Sequence, residues 1–376
     1  MSKPLQHVYL SLGSNMGNKF EYLQQAVNSI FEEIGAIEKI SSVYKTPAMG
    51  FEGDDFLNCA LRVKTNMSPN KLLEAVLRIE KSQGRERTSS SHYSSRPIDI
   101  DILFVEDLVK KTKKLVIPHP QLHNRRFVLQ PMAELNPTFE HPSLKKNMIR
   151  LLAETEDKSV IEKQSKWLRN PKQDYDLAKY NYIAIEGNIG VGKTSLASKL
   201  AEDFNAKLIL ERFQENPFLP KFYEDPSRYA FPLEMSFLAD RYQQLLEDIT
   251  QFDLFKDCVV ADYDVYKSLI FAKVTLAEEE FSLYKKLFHI MHKELPKPDV
   301  YVYLYQKTDR LLENIKKRGR SYEKSIKEEY LKKIHDGYFE FIKTQHDSNI
   351  RIIDISEKDF VRNRKDYLGI IKEMLG

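Results

Sequence analysis

The chain of 376 residues is long enough for roughly two or three domains of ordinary size. Its 42% hydrophobic and 30% charged residues are those of a globular protein, and a net charge of +3 argues against the broad basic field that nucleic-acid or membrane-surface binding draws on. No run approaches the ~20 apolar residues of a membrane span, no apolar signal-peptide core follows Met1, and Cys59 and Cys258, without a CxxC partner, point to a reducing cytoplasm rather than a disulfide framework or zinc site.

Residues 7–13 alternate like a half-buried strand. Residues 19–34 carry Phe20, Leu23, Val27, Ile30, Phe31 and Ile34 at helical spacing. Residues 39–46 and 56–65 alternate again. Ser68-Pro69 opens a second helix that Gly84 closes, and residues 98–105 form a further strand. Shorter helical stretches follow at 124–135 and 144–154. The order strand, helix, strand, strand, helix, strand predicts an α+β ferredoxin-like sandwich with helices on one face of a mostly antiparallel sheet.

The strand "RPIDIDILFVED" sets a chemical problem. Asp99 and Asp101 stand two apart and share a face, while Ile98, Ile100 and Ile102 point into a core. Adjacent carboxylates repel unless a cation lies between them, and such hard oxygen ligands suit Mg²⁺ that also binds substrate phosphates. Glu80, Arg85, Arg87 and Arg96 flank the strand, and His119 and Arg125 follow it. Acids for a metal and arginines for phosphate make the equipment for phosphoryl transfer from ATP.

These residues, with "LSLGSNMGN", "YKTPAMG", "FLNCAL", "RIEKSQGRER" and "VIPHPQLHNRRFVLQPMAEL" in the same order, make the first ~160 residues resemble hydroxymethyl-dihydropterin pyrophosphokinase, a folate-pathway family of single-domain size. The resemblance implies that Asp99 and Asp101 hold two Mg²⁺ across the ATP phosphates and that Arg85 and Arg96 stabilise the transferring pyrophosphoryl group. It places Glu80, His119 and Arg125 along the nucleotide, stacks the pterin on Phe127, and gives its edge to Asn58, Thr46 and Pro47 with Phe56 nearby. The loop "TSSSHYSS" departs from the family pattern, with Tyr93 in place of the usual Trp and His92 in place of a common Arg. Tyr93 still covers a bound ring, so an altered rate is expected rather than a lost activity.

Residues 161–180 are polar, carry Pro171 and show no sustained periodicity, so they read as a linker between domains at 1–160 and 181–376, with Trp167 as its candidate anchor. Beyond it, short apolar runs at 182–187, 207–211, 258–262, 299–305 and 350–355 alternate with long helical patterns. That order predicts a parallel α/β sheet. The first run leads into Gly187-Asn188-Ile189-Gly190-Val191-Gly192-Lys193-Thr194 and a helix, which is a phosphate-binding loop in its proper context. The turns need Gly187, Gly190 and Gly192; backbone N–H groups and a helix N-terminus cradle phosphate; Lys193 reaches the β and γ phosphates and Thr194 ligates Mg²⁺. Glu211 ends the second run, at the edge where such sheets bind ligands, and is the candidate base for a hydroxyl. Asp262 ends the third and is placed to assist Mg²⁺.

From about residue 181 onward, "LILERFQENPFLPKFYEDPSRYAFPLEMSFLADR" and "KKRGRSYE" resemble the deoxynucleoside kinases that act on deoxyadenosine, deoxyguanosine and deoxycytidine. The resemblance implies a P-loop kinase in which Glu211 accepts the 5′-hydroxyl proton, Tyr223 and Glu323 hold the sugar 3′-hydroxyl, and Arg318 and Arg320 on a lid clamp the transferring phosphoryl group. It also implies a homodimer through helices. Two positions depart. The family's arginine after Asp262 is replaced by Tyr263, and Arg212 or Arg241 are the candidate substitutes. Glu234 stands where the family has Gln; an ionised carboxylate only accepts, which favours adenine's amine over thymine's carbonyl edge. The expectation is a bifunctional cytoplasmic enzyme with no nucleic-acid or membrane partner. It transfers pyrophosphate from ATP to a hydroxymethyl-dihydropterin and one phosphate from ATP to a deoxynucleoside, with deoxyadenosine ahead of deoxyguanosine and deoxycytidine. The rival reading is a first domain reduced to an inactive binding module.

Overall fold

A computed structural model describes residues 4–48, 51–85, 95–212, 216–250, 256–293, 295–345 and 348–376. The chain divides into two compact units, Met1–Tyr175 and Asp176–Gly376.

In the first unit, β1 (Gln6–Ser14) leads to α1 (Lys19–Glu33), whose first turn is capped by the Asn18 side chain accepting from the Glu21 N–H. The chain continues through β2 (Ala36–Ile40), β3 (Tyr44–Thr46), β4 (Phe56–Thr65), α2 (Pro69–Ser82) and β5 (Asp99–Val105). A small hairpin, β6 (Lys110–Lys111) and β7 (Val116–Ile117), precedes α3 (Arg126–Leu135), α4 (Met148–Glu154) and β8 (Glu162–Lys163). The main sheet runs β5-β1-β4-β3-β8, with β2 also on β4, and every pairing is antiparallel. Because side chains alternate across a strand, Tyr9 and Ala60 reach one face, where they cluster with Leu129 and Met132 of α3 and Met148 of α4. Val8, Leu10 and Leu12 are left for the opposite face, where α1 packs on β1 and α2. Helices therefore cover both faces, where the sequence pattern suggested one.

Residues 39–46, expected as one strand, form two. Ser41 and Ser42 leave the ladder between them: the Ser42 N–H and hydroxyl donate to Glu134 at 3.0 and 2.7 Å, and Ser41 Oγ accepts from the Ala60 N–H at 2.9 Å. The polar stretch 161–180 also behaves differently from a free tether. Its β8 adds an edge strand to β3, and the Gln164 N–H donates to Val43 O at 2.8 Å. Arg169 and Gln24 exchange two bonds, Asn170 donates to Ile37 O, and Tyr175 packs 5.4 Å from the Phe31 ring. Leu168 and Tyr175 are the buried anchors; Trp167 is 68% exposed.

The second unit is built on five parallel strands in the order β10-β11-β9-β12-β13. In chain order these are β9 (Tyr182–Gly187), α5 (Lys193–Asp203), β10 (Lys207–Ile209), α6 (Leu219–Glu224), α7 (Pro226–Thr250), β11 (Val259–Ala261), α8 (Tyr266–Thr275) and α9 (Glu278–His292). Then follow β12 (Val300–Tyr305), α10 (Thr308–Arg318), α11 (Glu328–Thr344), β13 (Ile350–Asp354) and α12 (Arg364–Leu375). The core is aromatic: Tyr182, Tyr263, Tyr284, Phe288, Tyr303 and Tyr338 belong to one buried cluster. Among the described residues no helix is long and apolar enough to cross a membrane.

The segment 162–175 is thus part of the first unit. A chain ending at Tyr175 is expected to melt higher than one ending at residue 160 by roughly 5–10 °C, the shift that losing about 3 kcal/mol of apolar burial and sheet pairing gives a unit of this size. Calorimetry on the two fragments checks it.

Candidate functional site

The first site lies on β5, β1 and β4. The register sets Gly13 opposite both Asp99 and Asn58, and Ser11 opposite Asp101, so the two carboxylates and Asn58 share one face. Gly13 is required by packing rather than by backbone angle: a Cβ there would stand 2.8 Å from Asn58 Oδ1. The freed space lets Asn58 Nδ2 donate to Thr46 Oγ1 at 2.7 Å, and both side chains are buried. A cavity opens beside them, lined by Pro47, Phe56, Asn58, Asp99, Asp101 and Phe127. Phe127 also packs against the α3 cluster, so it is both a core and a cavity residue.

Cations converge on Asp99. Arg85 pairs with both Glu80 and Asp99, and Arg96 reaches Asp99 Oδ2 at 3.1 Å while lying 5.7 Å over the Phe56 ring. Glu80 does not line this cavity. It is buried at the end of α2, where its Oε1 accepts from the Ile100 N–H at 2.9 Å and from Arg85, tying the helix to β5. Asn15 fixes Arg96 from the other side, accepting from the Arg96 N–H at 2.8 Å and donating its own N–H to Arg96 O at 3.3 Å. Burial, and then the Asp99 charge beside it, push the Asp101 carboxyl up to about 7. Burial and Arg125 push His119 down to about 4, so its imidazole is neutral at pH 7. Arg125 lies 5.8 Å over Phe127. Tyr93 lies outside the described residues.

The second site sits at the carboxyl edge of the parallel sheet. β9 ends in the glycine loop, where Gly190 and Gly192 adopt φ of 82° and 101°, values that side-chain-bearing residues rarely take. A Cβ would also strike Ile315 at 2.8 Å and Phe360 at 2.9 Å, respectively. Lys193 folds back over the loop and donates to Gly187 O at 2.8 Å and Asn188 O at 3.0 Å. Burial, and then Lys267 nearby, lower it to about 8. Thr194 Oγ1 donates to Asp262 Oδ2 at 2.5 Å, and Asp262 Oδ1 accepts from the Glu211 N–H at 2.8 Å. One aspartate therefore joins the ends of three strands.

Glu211 is held between two cations. Arg241 donates Nε and a terminal nitrogen to its Oε1 at 2.8 and 2.6 Å, and Lys267 Nζ lies 2.5 Å from its Oε2. Burial alone would raise its carboxyl; Lys267 and then Arg241 overcome that and hold it well below the usual carboxylate range. Across the cavity, Glu323 pairs with Arg318 at 2.6 Å and Arg320 at 3.2 Å, and Tyr223 stacks on Tyr322 at 5.9 Å. Glu234, two helical turns from Arg241 on α7, is buried. Its Oε1 accepts from Thr275 Oγ1 at 3.1 Å and its Oε2 has no partner.

Two family models match: Deoxynucleoside kinase over residues 183–375, and 7,8-dihydro-6-hydroxymethylpterin-pyrophosphokinase (HPPK) over residues 9–137. The deoxyguanosine kinase of Bacillus subtilis (strain 168) is 39% identical over 201 residues, which take in 52% of this chain and 97% of that protein. The chain belongs to the deoxynucleoside kinase family. Its first half belongs equally to the pyrophosphokinase family: the 2-amino-4-hydroxy-6-hydroxymethyldihydropteridine pyrophosphokinase of Aquifex aeolicus (strain VF5) is 43% identical over 140 residues, 37% of this chain and 86% of that one. The Bifunctional protein FolKE of Lactococcus lactis subsp. lactis (strain IL1403) is 39% identical over 173 residues, 45% of this chain and 49% of its own length. The chain is a bifunctional transferase, a pterin pyrophosphokinase followed by a deoxynucleoside kinase.

In the pyrophosphokinase unit the fold gathers Asp99, Asp101, Arg85, Arg96, Asn58, Thr46, Pro47, Phe56, Arg125 and Phe127 around one cavity or its charged rim. In the kinase unit Lys193, Thr194, Glu211, Tyr223, Glu234, Arg241, Asp262, Arg318, Arg320 and Glu323 line another. Arg212 is exposed, lies 4.0 Å from Asp248 and lines a cavity with Glu211 and the glycine loop, with no ion pair to Glu211 among the described residues. Arg241 does reach Glu211, together with Lys267, which the sequence reading passed over. The signal in sequence is weak, since "YKSLIFAKV" carries both Lys267 and Lys273 and only the fold buries the first and leaves the second exposed. Glu234 also differs from expectation. Burial pushes its carboxyl up to about 7, so it is not simply an ionised acceptor.

Gly13→Ala is expected to displace Asn58 and raise the KM for the pterin at least about tenfold, the effect of losing roughly 1.4 kcal/mol of edge recognition. Deoxynucleoside kinase activity of the same protein stays unchanged. Steady-state assays with each acceptor check both statements.

Proposed function

We propose the following division of roles. In the pyrophosphokinase unit, whose strand order supports a ferredoxin-like sandwich, the cavity takes the pterin between Phe127 and the Phe56 side, with Asn58 and Thr46 at its edge. Arg85 and Arg96 lie where a transferring pyrophosphoryl group would meet them and stabilise its charge. The observation that carries this is the crowding of Asp99 and Asp101 on one strand face, where burial and then the Asp99 charge push the Asp101 carboxyl up to about 7. That repulsion is what a divalent cation relieves, so the pair fits Mg²⁺. Among the described residues no three acidic, His or Cys side chains form a cage, and substrate oxygens would complete the coordination. Bound there, Mg²⁺ would neutralise phosphate charge.

In the kinase unit, Thr194 and Asp262 are the residues that would hold Mg²⁺, and Lys193 would exchange its own loop carbonyls for ATP phosphates. Glu211 accepts a hydrogen bond from the 5′-hydroxyl and orients it. A carboxylate so strongly held in its ionised form is a weak base, so the proton moves late. The bond from the 5′-oxygen to phosphorus forms, the bond to the ADP oxygen breaks, and the hydroxyl proton passes to Glu211. Tyr223 and Glu323 suit the 3′-hydroxyl, and Arg318 and Arg320 suit the moving phosphoryl group. The resemblance extends the proposal to a cytoplasmic homodimer joined through kinase helices.

Glu234 supports a purine deoxynucleoside. Its neutral carboxyl donates and accepts side by side, matching adenine's ring nitrogen and amine; its ionised form accepts two N–H groups, as guanine's edge offers. The groups facing it are Arg241 on its own helix, Lys267 and Thr275 on α8, Glu211 beyond β10, Tyr223 on α6, Tyr284 on α9 and Tyr330 on α11. The neutral form dominates below about 7 and is lost as pH rises through that value. The kcat/KM ratio of deoxyadenosine to deoxyguanosine is therefore expected to fall by about tenfold between pH 6 and 8.5, and Glu234→Gln to flatten the profile. A ratio independent of pH in the unmodified enzyme contradicts this role.

Single-site variants separate the two activities. Asp101→Asn is expected to lower AMP formation with the pterin by about 100-fold or more and leave ADP formation with deoxyadenosine intact, and Lys193→Met does the reverse. Chromatography of the nucleotide products reads both.

A further inference from the structure

Glu211 needs a partner that the chain immediately after β11 does not supply. Asp262 is engaged with Thr194 and the Glu211 N–H. Tyr263 turns into the aromatic core, fully buried, with a hydroxyl that has no hydrogen-bond partner. The Asp264 N–H donates to the buried Glu186 at 2.7 Å. The chain then makes a tight turn, with the Lys267 N–H donating to Asp264 O at 3.2 Å, and enters α8. That turn brings Lys267 back under the sheet edge, where its buried ammonium meets Glu211 Oε2 at 2.5 Å. Arg241 arrives from α7 on the other oxygen, and its remaining terminal nitrogen donates to Ser268 Oγ, the next residue of α8, at 2.7 Å. Glu211, Lys267 and Arg241 thus form one network on the cavity wall, braced from behind by the fully buried Ser268.

Resting on the deoxynucleoside kinase reading above, we infer that Lys267 is the positioning residue that holds the Glu211 carboxylate toward the acceptor hydroxyl, from a helix one turn further along the chain than the strand-end position that Tyr263 occupies. Two buried cations on one carboxylate do two things. They fix both oxygens, so the face presented to the cavity is set before the nucleoside arrives. They also offset the Glu211 charge at a site that opens toward Lys193 and the glycine loop. An ion pair in a buried site is a weak source of stability, because desolvating two charges offsets their attraction, so its value here is geometric.

The test uses the full chain with Lys267→Gln and Lys267→Arg, assayed for deoxyadenosine kinase activity, with thermal melting and binding of a fluorescent ATP analogue measured on each. Lys267→Gln is expected to lower kcat by about 100-fold while KM for the nucleoside changes less than about threefold. Lys267→Arg restores at least about tenfold of that loss. The inference is overturned if Lys267→Gln keeps kcat within about threefold, if Lys267→Arg is as impaired as Gln, or if Gln loses ATP-analogue binding and melting temperature together, which would make the lysine a folding element. An unmodified protein that phosphorylates no deoxynucleoside would instead remove the reading on which the inference stands.

Discussion

A carboxylate taken out of water must find cations, and this constraint organises both halves of the chain. Asp99 is compensated by Arg85 and Arg96, Glu211 by Lys267 and Arg241, and Glu323 by Arg318 and Arg320. The Glu211 arrangement links three elements distant in sequence, those of Asp99 and Glu323 are more local, and each lies on the wall of a cavity. The exceptions are informative. The half-buried Asp101 and the buried Glu234 and Asp264 are each pushed up to about 7. Of these, Asp101 and Glu234 line the cavities, where a ligand has charge or hydrogen bonds left to supply.

The two sites use the same physical means on unrelated scaffolds. The pyrophosphokinase unit sets its carboxylates on one face of an antiparallel strand, where alternation guarantees that both point the same way. The kinase unit sets Lys193, Glu211 and Asp262 at the carboxyl ends of parallel strands, where each turn into the next element delivers a side chain to one edge. The first leaves room for a flat heterocycle beside Phe127. The second is a cavity lined by side chains of α6, α7 and α11.

Much of this was legible in the sequence because it depends on local patterns. The glycine loop declares itself by spacing, and the Asp99 and Asp101 pair by period-two alternation against three isoleucines. What stayed hidden depends on distance and burial. Lys267 becomes Glu211's partner only once α8 folds back under the sheet, and Asn15 becomes the brace of Arg96 only when β1 lies beside β5. Glu80's bonds to the Ile100 N–H and Arg85 also appear only once the end of α2 meets β5. The segment at 162–175 is polar enough to pass for a tether, yet two buried side chains and a two-residue strand bind it to the first unit. Glu234's raised carboxyl follows from its burial, which no spacing pattern reports.

Holding two kinases in one chain makes a sharp chemical claim: the same ATP is cut at two different bonds. Attack on the β phosphorus carries the β and γ phosphates to the pterin, whereas attack on the γ phosphorus leaves the β phosphate in ADP. The direct measurement is the fate of ATP labelled at the β phosphorus, incubated with the purified protein and one acceptor at a time. The label is predicted to appear in the pterin product when hydroxymethyl-dihydropterin is present, and to remain entirely in ADP when deoxyadenosine is present. Label that stays on the adenine nucleotide with both acceptors would contradict the account of the first site, and label on deoxyadenosine would contradict that of the second.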